Sequence, residues 1–295
     1  MSMDFVAVDI ETANPSMASI CQVGVAGFSD GAVSFEWVSY VDPQDCFAPM
    51  NVAVHGIDAP VVAGAPLFPA IANQLLQMIG GTVVACHTPF DRVALHQAFT
   101  KHALELPALT WLDTARVARR AWAECAHRGY GLATVCSMIG YDFQHHDALE
   151  DAKAAGEVLL AACKATGLSV DDWLVRVEQS ISGEPRKRSG GWRKESYAQE
   201  GNPDGPLVGE IIVFTGSLHI PRREAAEKAA GIGCEVADVV TKKTTLLVVG
   251  DQDATRLSGH EKSSKHRKAE NLIEKGHAIR ILRESDFLQL VELEE

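Results

Sequence analysis

The sequence lacks the features that mark a membrane protein or a disulfide-stabilised protein. No apolar run approaches the roughly 20 residues of a membrane-spanning helix, and the best stretch, residues 61–86, is broken by Pro, Gly, Asn and Gln. Seven cysteines are scattered without a Cys-X-X-Cys pair, which argues against disulfides and against cysteine-based zinc sites. No basic and then apolar region precedes the first predicted strand, so we expect no signal peptide. These absences predict a cytoplasmic protein with reduced thiols and no membrane partner.

The sequence also lacks an excess of positive charge. Its net charge is −12, and residues 1–168 contain 17 acidic but only 8 basic side chains. Proteins that bind duplex nucleic acid tightly usually have a basic surface, so we do not expect this chain to bind nucleic acid by charge alone. An enzyme that reaches phosphates through bound metal ions stays possible, because clustered carboxylates hold such ions.

With 295 residues, of which 46% are hydrophobic and 22% charged, the chain has room for two globular domains. Hydrophobic periodicity predicts strands at 5–12, 21–28, 33–41 and 82–86, and helices at 69–79, 90–99, 111–122 and 147–165. Asp147 and Glu150 have the spacing of a helix capping box, and Gly167 ends that helix. This order of elements predicts an α/β domain with a mixed sheet.

The apolar pattern weakens after residue 168 and resumes near residue 211. Residues 182–191 carry turn formers without apolar periodicity, which is typical of a flexible linker. We therefore predict three segments, 1–168, a linker at 169–206 and a small β/α domain at 207–295. The basic run at 186–188 and Trp192 within the linker are read either as a nucleic-acid contact or as a solvated tether.

Asp9 and Glu11 end the first predicted strand, 5–12. Because strand side chains alternate, both carboxylates project from one face, about 7 Å apart. Two carboxylates beside a buried strand repel each other and lose hydration, and a bound Mg²⁺ or Mn²⁺ would relieve that repulsion. A strand that simply ends in a solvated loop explains the same residues, so this stretch alone leaves both readings open.

Further acids and one histidine follow other predicted elements. Asp91 comes just after a buried strand, His146 precedes the helix at 147–165, and Asp151 lies one turn inside that helix. Phosphodiester hydrolysis by two metal ions needs several converging carboxylates and a base for the attacking water. Histidine suits the role of base near neutral pH. This set of acids with one histidine therefore fits metal-dependent hydrolysis.

These motifs resemble the histidine-containing DEDD (DEDDh) 3′–5′ exonucleases, the family of the proofreading epsilon subunit of bacterial replicative DNA polymerase. The family's first motif has the form of residues 8–12, and its second ends in Phe-Asp, as at 90–91. Its third has His, four residues, then Asp, which selects His146 over His145. The usual His-Gly-Ile and Asp-Thr segments occur at 55–57 and 113–114. One departure is Cys86-His87, where the family commonly has His-Asn.

The resemblance implies a ribonuclease H-like fold and two Mg²⁺ or Mn²⁺ ions. It implies that Asp9, Glu11 and Asp151 ligate one metal, with Asp9 bridging to the second. Asp91 would hold the second ion, and His146 would be the general base. The substrate-binding residues would be Thr12 at the terminal 3′-hydroxyl and His55, Gly56 and Ile57 near the last bases.

Residues 209–291 resemble the BRCT domain at the end of NAD-dependent DNA ligases. The matching segments are 214–218, 240–245, 247–250, 264–269 and 284–288. The resemblance implies that Thr215, the Gly216 amide and Lys265 hold a phosphate. Many BRCT domains bind other partners, so both a phosphorylated DNA end and a protein partner are expected possibilities.

The sequence therefore predicts a metal-dependent 3′–5′ exonuclease that hydrolyses DNA ends to nucleoside monophosphates in DNA replication or repair, with BRCT-mediated docking. An exoribonuclease with the same chemistry is the first alternative, because nothing in the sequence shows how a 2′-hydroxyl is handled. A non-catalytic BRCT adaptor that only holds ends is the second. The complete set of acids argues against the adaptor.

Overall fold

The computed structural model of the chain describes residues 4–179, 181, 196–250, 263–273 and 275–294. The chain forms two compact units, Met1–Gln179 and Ser180–Glu295. Within these described ranges, no helix has the length and apolar character needed to cross a membrane.

A five-stranded mixed sheet forms the centre of the first unit. Its strands are β1 (Phe5–Thr12), β2 (Ile20–Ser29), β3 (Ala32–Tyr40), β4 (Val83–Cys86) and β5 (Thr110–Asp113), in the order β3-β2-β1-β4-β5. The β1–β2 and β2–β3 pairs are antiparallel, whereas β1–β4 and β4–β5 are parallel. The predicted α/β domain with a mixed sheet is confirmed.

Within residues 4–179, the sheet is accompanied by the helices α1 (Pro49–His55), α2 (Phe68–Ile79), α3 (Phe90–Lys101), α4 (Thr114–Ala121), α5 (Cys125–Arg128), α6 (Leu132–Ile139), α7 (Ala148–Thr166) and α8 (Val170–Arg176). The start of α7 lies directly on β2, where a Cβ added to Gly24 would lie 2.2 Å from the Ala148 carbonyl. Glycine thus permits the close approach of strand and helix. The core beneath α7 includes the stacked rings of Phe5 and Phe28, 4.6 Å apart.

The prediction of a helix at 111–122 is wrong for the first turn. Residues up to Asp113 form β5, because Trp111 and Leu112 pair with Val84 and Ala85 of β4. The helix begins only at Thr114, where Asp113 Oδ1 accepts the backbone N–H of Ala115. Parallel pairing with a distant strand therefore overrides the local helical pattern.

The structure also places the ends of the expected linker, 169–206, differently. Helix α8 begins with a capping box between Ser169 and Asp172, and its Trp173 is 1% exposed in the core of the first unit. At the other end, Gln199 pairs with Val236 in the second unit. The basic run at 186–188 and Trp192 lie outside the described residues.

The second unit is a small β/α domain, as predicted, and its strands form a parallel sheet. Its strands are β6 (Ile211–Thr215), β7 (Glu235–Val236), β8 (Leu246–Val249) and β9 (Arg280–Arg283), in the order β7-β6-β8-β9. Its helices are α9 (Arg222–Gly231), α10 (Ser264–Ile273) and α11 (Glu284–Glu294). The rings of Phe214 and Phe287 meet edge to face in its core.

Candidate active site

Three carboxylates meet at the carboxyl end of β1. Asp9 and Glu11 are half-buried, and both project from the same face of a strand whose first residues are fully buried. Their oxygens and one from Asp151 of α7 all lie within 4.8 Å of one another. Three like charges at this spacing repel each other, and hard oxygen donors in such a cluster suit a divalent cation. The structure thus brings together three of the four predicted metal ligands.

Asp151 reaches this cluster because the start of α7 is held in place from two sides. Asp147 caps the helix by accepting the N–H groups of Leu149 and Glu150, as predicted, and Gly167 ends it with φ +76°. The N–H of Ala148 donates to the Gln22 side chain on β2, at 3.1 Å. No sequence signal marks Gln22, because its role depends on a contact 126 residues away.

Asp91 takes a different position from the other acids. It lies in the first turn of α3 and is 6% exposed, and its Oδ1 accepts the N–H of Ile10 at 3.0 Å. Ile10 stands between Asp9 and Glu11, so this bond places Asp91 directly beside the cluster. Asp91 is not one of the three acids whose oxygens lie within 4.8 Å of one another.

The two histidines before α7 both contact Asp151. The His146 N–H donates to Asp151 Oδ2 at 3.0 Å, and His145 Nδ1 lies 2.8 Å from Asp151 Oδ1. The two rings stack with centroids 4.0 Å apart. His146 has φ +70°, a conformation that non-glycine residues rarely adopt and that clusters at functional sites. Sequence spacing selected His146 as the candidate base but did not predict the contact that His145 makes with Asp151.

Two hydrogen bonds, one of them from a histidine, hold the end of β1. The Thr12 carbonyl accepts hydrogen bonds from Asn51 Nδ2 at 2.8 Å and from His55 Nε2 at 3.1 Å, while His55 Nδ1 accepts the N–H of Ile57. This arrangement requires the neutral ring with its proton on Nε2, and burial lowers the pKa of His55. The structure therefore joins Thr12, His55 and Ile57, and Gly56 between them has φ +74°. Asn51 was missed because α1 was not predicted.

His87, the departure from the family pattern, connects three segments near the site. Its Nε2 lies 2.8 Å from the Tyr130 carbonyl, and its Nδ1 lies 2.8 Å from Thr114 Oγ1. A carbonyl only accepts, so Nε2 carries the proton. Burial lowers the pKa of His87, although the charges of Asp113 and Asp151 oppose this effect. The ring is a neutral cross-link between β4, α4 and the turn before α6.

Two thiols lie near the carboxylates. Burial, with a smaller effect of the Glu11 charge, raises the pKa of Cys21, and burial together with Asp151 raises the pKa of Cys136 to about 12. Both side chains therefore stay protonated near neutral pH, and a protonated thiol is neither a nucleophile nor a metal ligand. The chemistry of the site rests on oxygen and imidazole groups.

The predicted phosphate residues of the second unit also come together. Thr215 ends β6 and is 4% exposed, with its hydroxyl 2.6 Å from Ser263 Oγ. Lys265 Nζ donates to the Phe214 carbonyl at 3.0 Å. The Arg222 guanidinium donates to the carbonyl of Gly216, and burial and this nearby charge lower the pKa of Lys265. An open pocket of about 460 Å³ is lined by residues 216–222. Sequence reasoning did not identify Arg222 or Ser263.

Several known proteins are similar to parts of this chain. A Mycobacterium tuberculosis protein whose name pairs exonuclease with endonuclease is 30% identical over 174 residues, which are 55% of this chain and 27% of that protein. A PolC-type DNA polymerase III of Caldanaerobacter subterraneus is 26% identical over 160 residues, 53% of this chain and 11% of the polymerase. A DNA ligase of Nitratidesulfovibrio vulgaris is 39% identical over 93 residues, 31% of this chain and 10% of the ligase. The chain thus spans 27% or less of the length of these relatives.

Among solved structures, exonuclease X in complex with 5′ overhanging duplex DNA gives a TM-score of 0.47 at 19% identity, with 58% of this chain and 98% of that chain covered. The nuclease domain of a DEDDh family member bound to rAMP gives a TM-score of 0.49 at 16% identity, with 56% and 94% covered.

Family models match both units in the order that the motifs predicted. The model described as Exonuclease matches residues 6–159, which are more than half of the chain, and the model of the BRCA1 C Terminus (BRCT) domain matches residues 202–291. The chemistry of the exonuclease family is phosphodiester hydrolysis with divalent metals. The chain therefore belongs to the exonuclease family, with a DEDDh-type exonuclease domain followed by a BRCT domain.

Proposed function

We propose that the chain is a metal-dependent 3′–5′ exonuclease that shortens DNA ends and releases nucleoside 5′-monophosphates. The observation that carries this proposal is the meeting of Asp9, Glu11 and Asp151 within 4.8 Å, with His146 bonded to Asp151 through its backbone. Carboxylates from a strand and from a helix 140 residues away are gathered at one point. A solvated strand end does not require such convergence.

The residues present fit two Mg²⁺ or Mn²⁺ ions. Asp9, Glu11 and Asp151 would hold one ion, Asp9 would be shared, and Asp91 would contribute to the second. The donors are all carboxylate oxygens, which these hard cations prefer. When bound, such ions stabilise the charge that develops on the attacking and leaving oxygens. Because metal removes the mutual repulsion of the acids, the cluster fits a cation-binding role better than a structural one.

The side chains of the protein perform the proton transfer and the positioning. His146 takes a proton from the water that attacks the terminal phosphorus. The bond from phosphorus to the 3′ oxygen of the preceding nucleotide breaks, so a nucleoside 5′-monophosphate leaves and a new 3′-hydroxyl remains. Thr12 meets the terminal 3′-hydroxyl, and the segment of His55, Gly56 and Ile57 lies beside the last bases. The Asn51 and His55 bonds to the Thr12 carbonyl hold these two parts together.

DNA is the favoured substrate because of the relatives of both units. The first unit is similar to a DNA polymerase III and the second to DNA ligases, and the combination supports a role in DNA replication or repair. An exoribonuclease is the second candidate, since none of the described residues that contact Thr12, Asn51 and His55 among them, identifies a group that rejects a 2′-hydroxyl.

The BRCT domain is proposed to dock the enzyme on a phosphorylated DNA end or on a protein partner. Thr215, the Gly216 amide and Lys265 would hold the phosphate, and Arg222 adds a second positive charge. Such groups form charge-assisted hydrogen bonds with phosphate oxygens. The acidic first unit cannot attract a polyanion over a distance at physiological salt, so a separate docking surface would help end binding.

The experiment compares end-labelled single-stranded DNA, nicked duplex DNA and RNA of one sequence, with Mg²⁺ and with Mn²⁺. The proposal predicts mononucleotide release from DNA at a higher kcat/KM than from RNA. Faster release from RNA would establish the exoribonuclease instead. Binding of all three nucleic acids without any hydrolysis would support the adaptor.

A further inference from the structure

We propose that His145, His146 and Asp151 form an additional, inhibitory metal site that takes Zn²⁺ in preference to Mg²⁺. One ligand atom from each residue lies within 4.8 Å of the other two, and His145 Nδ1 is already 2.8 Å from Asp151 Oδ1. The site shares Asp151 with the carboxylate cluster but presents two imidazole nitrogens. Its inhibitory effect rests on the proposed function, whereas the binding of the metal does not.

The donor atoms separate the two sites by metal preference. Imidazole nitrogen suits Zn²⁺ and the neighbouring transition metals, whereas a cluster made only of carboxylates suits Mg²⁺ and Mn²⁺. Asp9, Glu11 and Asp151 offer three oxygens, but His145, His146 and Asp151 offer two nitrogens and one oxygen. Asp151 is common to both sets, so a Zn²⁺ ion on the histidines competes for a carboxylate that the catalytic ions need.

The backbone at His146 explains why two adjacent residues can act on one ion. Consecutive side chains of an extended segment point to opposite sides. The positive φ of His146 instead turns its ring onto the ring of His145, with centroids 4.0 Å apart and planes 13° apart. This conformation costs energy in a residue other than glycine, and it brings two imidazoles and a carboxylate to one point.

One ring must turn before both nitrogens can bind the same ion. Imidazole lone pairs lie in the plane of the ring, and Zn–N bonds are about 2.0–2.1 Å long, so stacked parallel rings do not converge on a metal. The His145 side chain is 41% exposed, and its ring can rotate towards a shared ion without disturbing the core. The buried Asp151, 3% exposed, stays in place as the fixed ligand.

Occupation of this site would stop the proposed reaction in two ways. The ion would take up the nitrogen lone pair of His146 that accepts the proton of the attacking water. It would also occupy one oxygen of Asp151, a residue that the carboxylate cluster shares. Zn²⁺ inhibition would therefore depend on His145, a residue that the proposed reaction itself does not use.

The test uses the full chain as wild type, His145→Ala, His145→Gln and His96→Ala. Gln can still donate a hydrogen bond to Asp151 but lacks the imidazole, and His96 is an exposed histidine on α3 outside the cluster. Co²⁺ alone serves as a spectroscopic substitute for Zn²⁺, because a site with few ligands and nitrogen donors absorbs visible light far more strongly than six-coordinate Co²⁺. Zn²⁺ alone is then added to displace it, and no nucleic acid is present.

The proposal predicts strong Co²⁺ absorption that Zn²⁺ removes in wild type and in His96→Ala. Both His145 variants should lose this absorption and bind Zn²⁺ at least about tenfold more weakly.

In a second assay, Zn²⁺ should inhibit Mg²⁺-dependent hydrolysis by wild type at concentrations that leave each His145 variant at its own zinc-free rate. Equal Zn²⁺ affinity in wild type and His145 variants would overturn the proposal and assign the ion to the carboxylates. An inactive wild type would refute the proposed function, and the Co²⁺ spectra would still decide the metal site.

Discussion

Among single residues, His146 combines a strained backbone, with φ +70°, and the proposed role of general base. Its N–H holds Asp151, and this bond does not involve the side chain. We therefore expect His146→Ala to keep Mg²⁺ binding at the carboxylate cluster and to lose roughly 10²–10⁴-fold in kcat, the usual effect of removing a general base. The measurement is kcat at saturating Mg²⁺, with His96→Ala as the matched control.

The pH–rate profile separates this role from a structural one. Hydroxide becomes more abundant as pH rises, so the His146→Ala variant should partly recover at high pH. Loss of the base should also remove the acidic limb of the wild-type profile. An acidic limb that is the same in wild type and variant would show that another group is the base.

His87 makes the stability of the first unit sensitive to acid. The folded state lowers the pKa of His87, whereas the unfolded chain titrates near 6.5, so protonation favours unfolding. Stability is therefore complete above the unfolded pKa and is lost as pH falls from about 6.5 towards the folded pKa, by at most about 1.4 kcal/mol per pH unit for this proton. His87→Asn should reduce that slope in urea unfolding between pH 7.5 and pH 5. An identical slope in both proteins would contradict the neutral cross-link.

The proposed metal ligands were easier to predict than the residues that hold them in place. Asp9, Glu11 and Asp151 stand out because acids beside apolar strands and at helix starts are locally unusual. Asn51 and Gln22 act on backbone groups that are distant in sequence, 39 and 126 residues away. Such contacts exist only after folding, so no local spacing reveals them.

At the scale of elements, the approach of α7 to β2 fixes where Asp151 and His146 lie. A Cβ at position 24 would come within 2.2–2.4 Å of Ala148 and Leu149 backbone atoms. We expect Gly24→Ala to destabilise the first unit by about 1–3 kcal/mol or more, because backbone cannot move aside as a flexible side chain can. It should also lower kcat by shifting the start of α7. Thermal unfolding and steady-state kinetics on the same preparation measure both effects.

Gly131→Ala is the matched control for this substitution. Gly131 has φ −60°, and a Cβ there would meet open space. The unfolding free energy of the Gly131→Ala variant should therefore differ from that of wild type by less than about 1 kcal/mol. Equal stability of the Gly24 and Gly131 variants would show that the close approach at β2 does not limit the fold.

Local sequence patterns predicted the elements with strong hydrophobic periodicity. They failed where tertiary contacts determine the secondary structure. The strand at Phe5–Thr12 and the small β/α architecture of the second unit agree with prediction. Trp111 was assigned to a helix because a local pattern cannot reveal its pairing with the distant strand β4. Helix α8 was missed because only one of its residues, Trp173, is buried, which leaves too little apolar periodicity to detect.

At the scale of the whole molecule, the second unit is expected to provide docking and the first unit to provide chemistry. Lys265→Ala in the full chain should weaken binding to a 5′-phosphorylated duplex or to a phosphopeptide about tenfold or more, because one charge-assisted bond is lost. The rate on a short, saturating single strand should be unchanged. Lys242→Ala removes an equal charge from an exposed site and serves as the control.

Phosphorylated and unphosphorylated forms of one DNA end and of one peptide decide this prediction. Wild type should prefer a phosphorylated form, and Lys265→Ala should abolish the preference. Equal affinity of wild type for both forms would leave plain protein–protein contact as the role of the BRCT domain.

The proposed metal site is tested by the rate of mononucleotide release from single-stranded DNA by Asp9→Asn and Asp151→Ala. Each substitution removes one negative charge from the carboxylate cluster, so kcat should fall by orders of magnitude while the protein stays folded. Thermal stability without metal should stay equal or rise, because clustered carboxylates repel each other. Glu105→Gln, an exposed acid outside the cluster, should keep the wild-type rate. Retention of more than about a tenth of the wild-type rate by both cluster variants would contradict the proposed metal site.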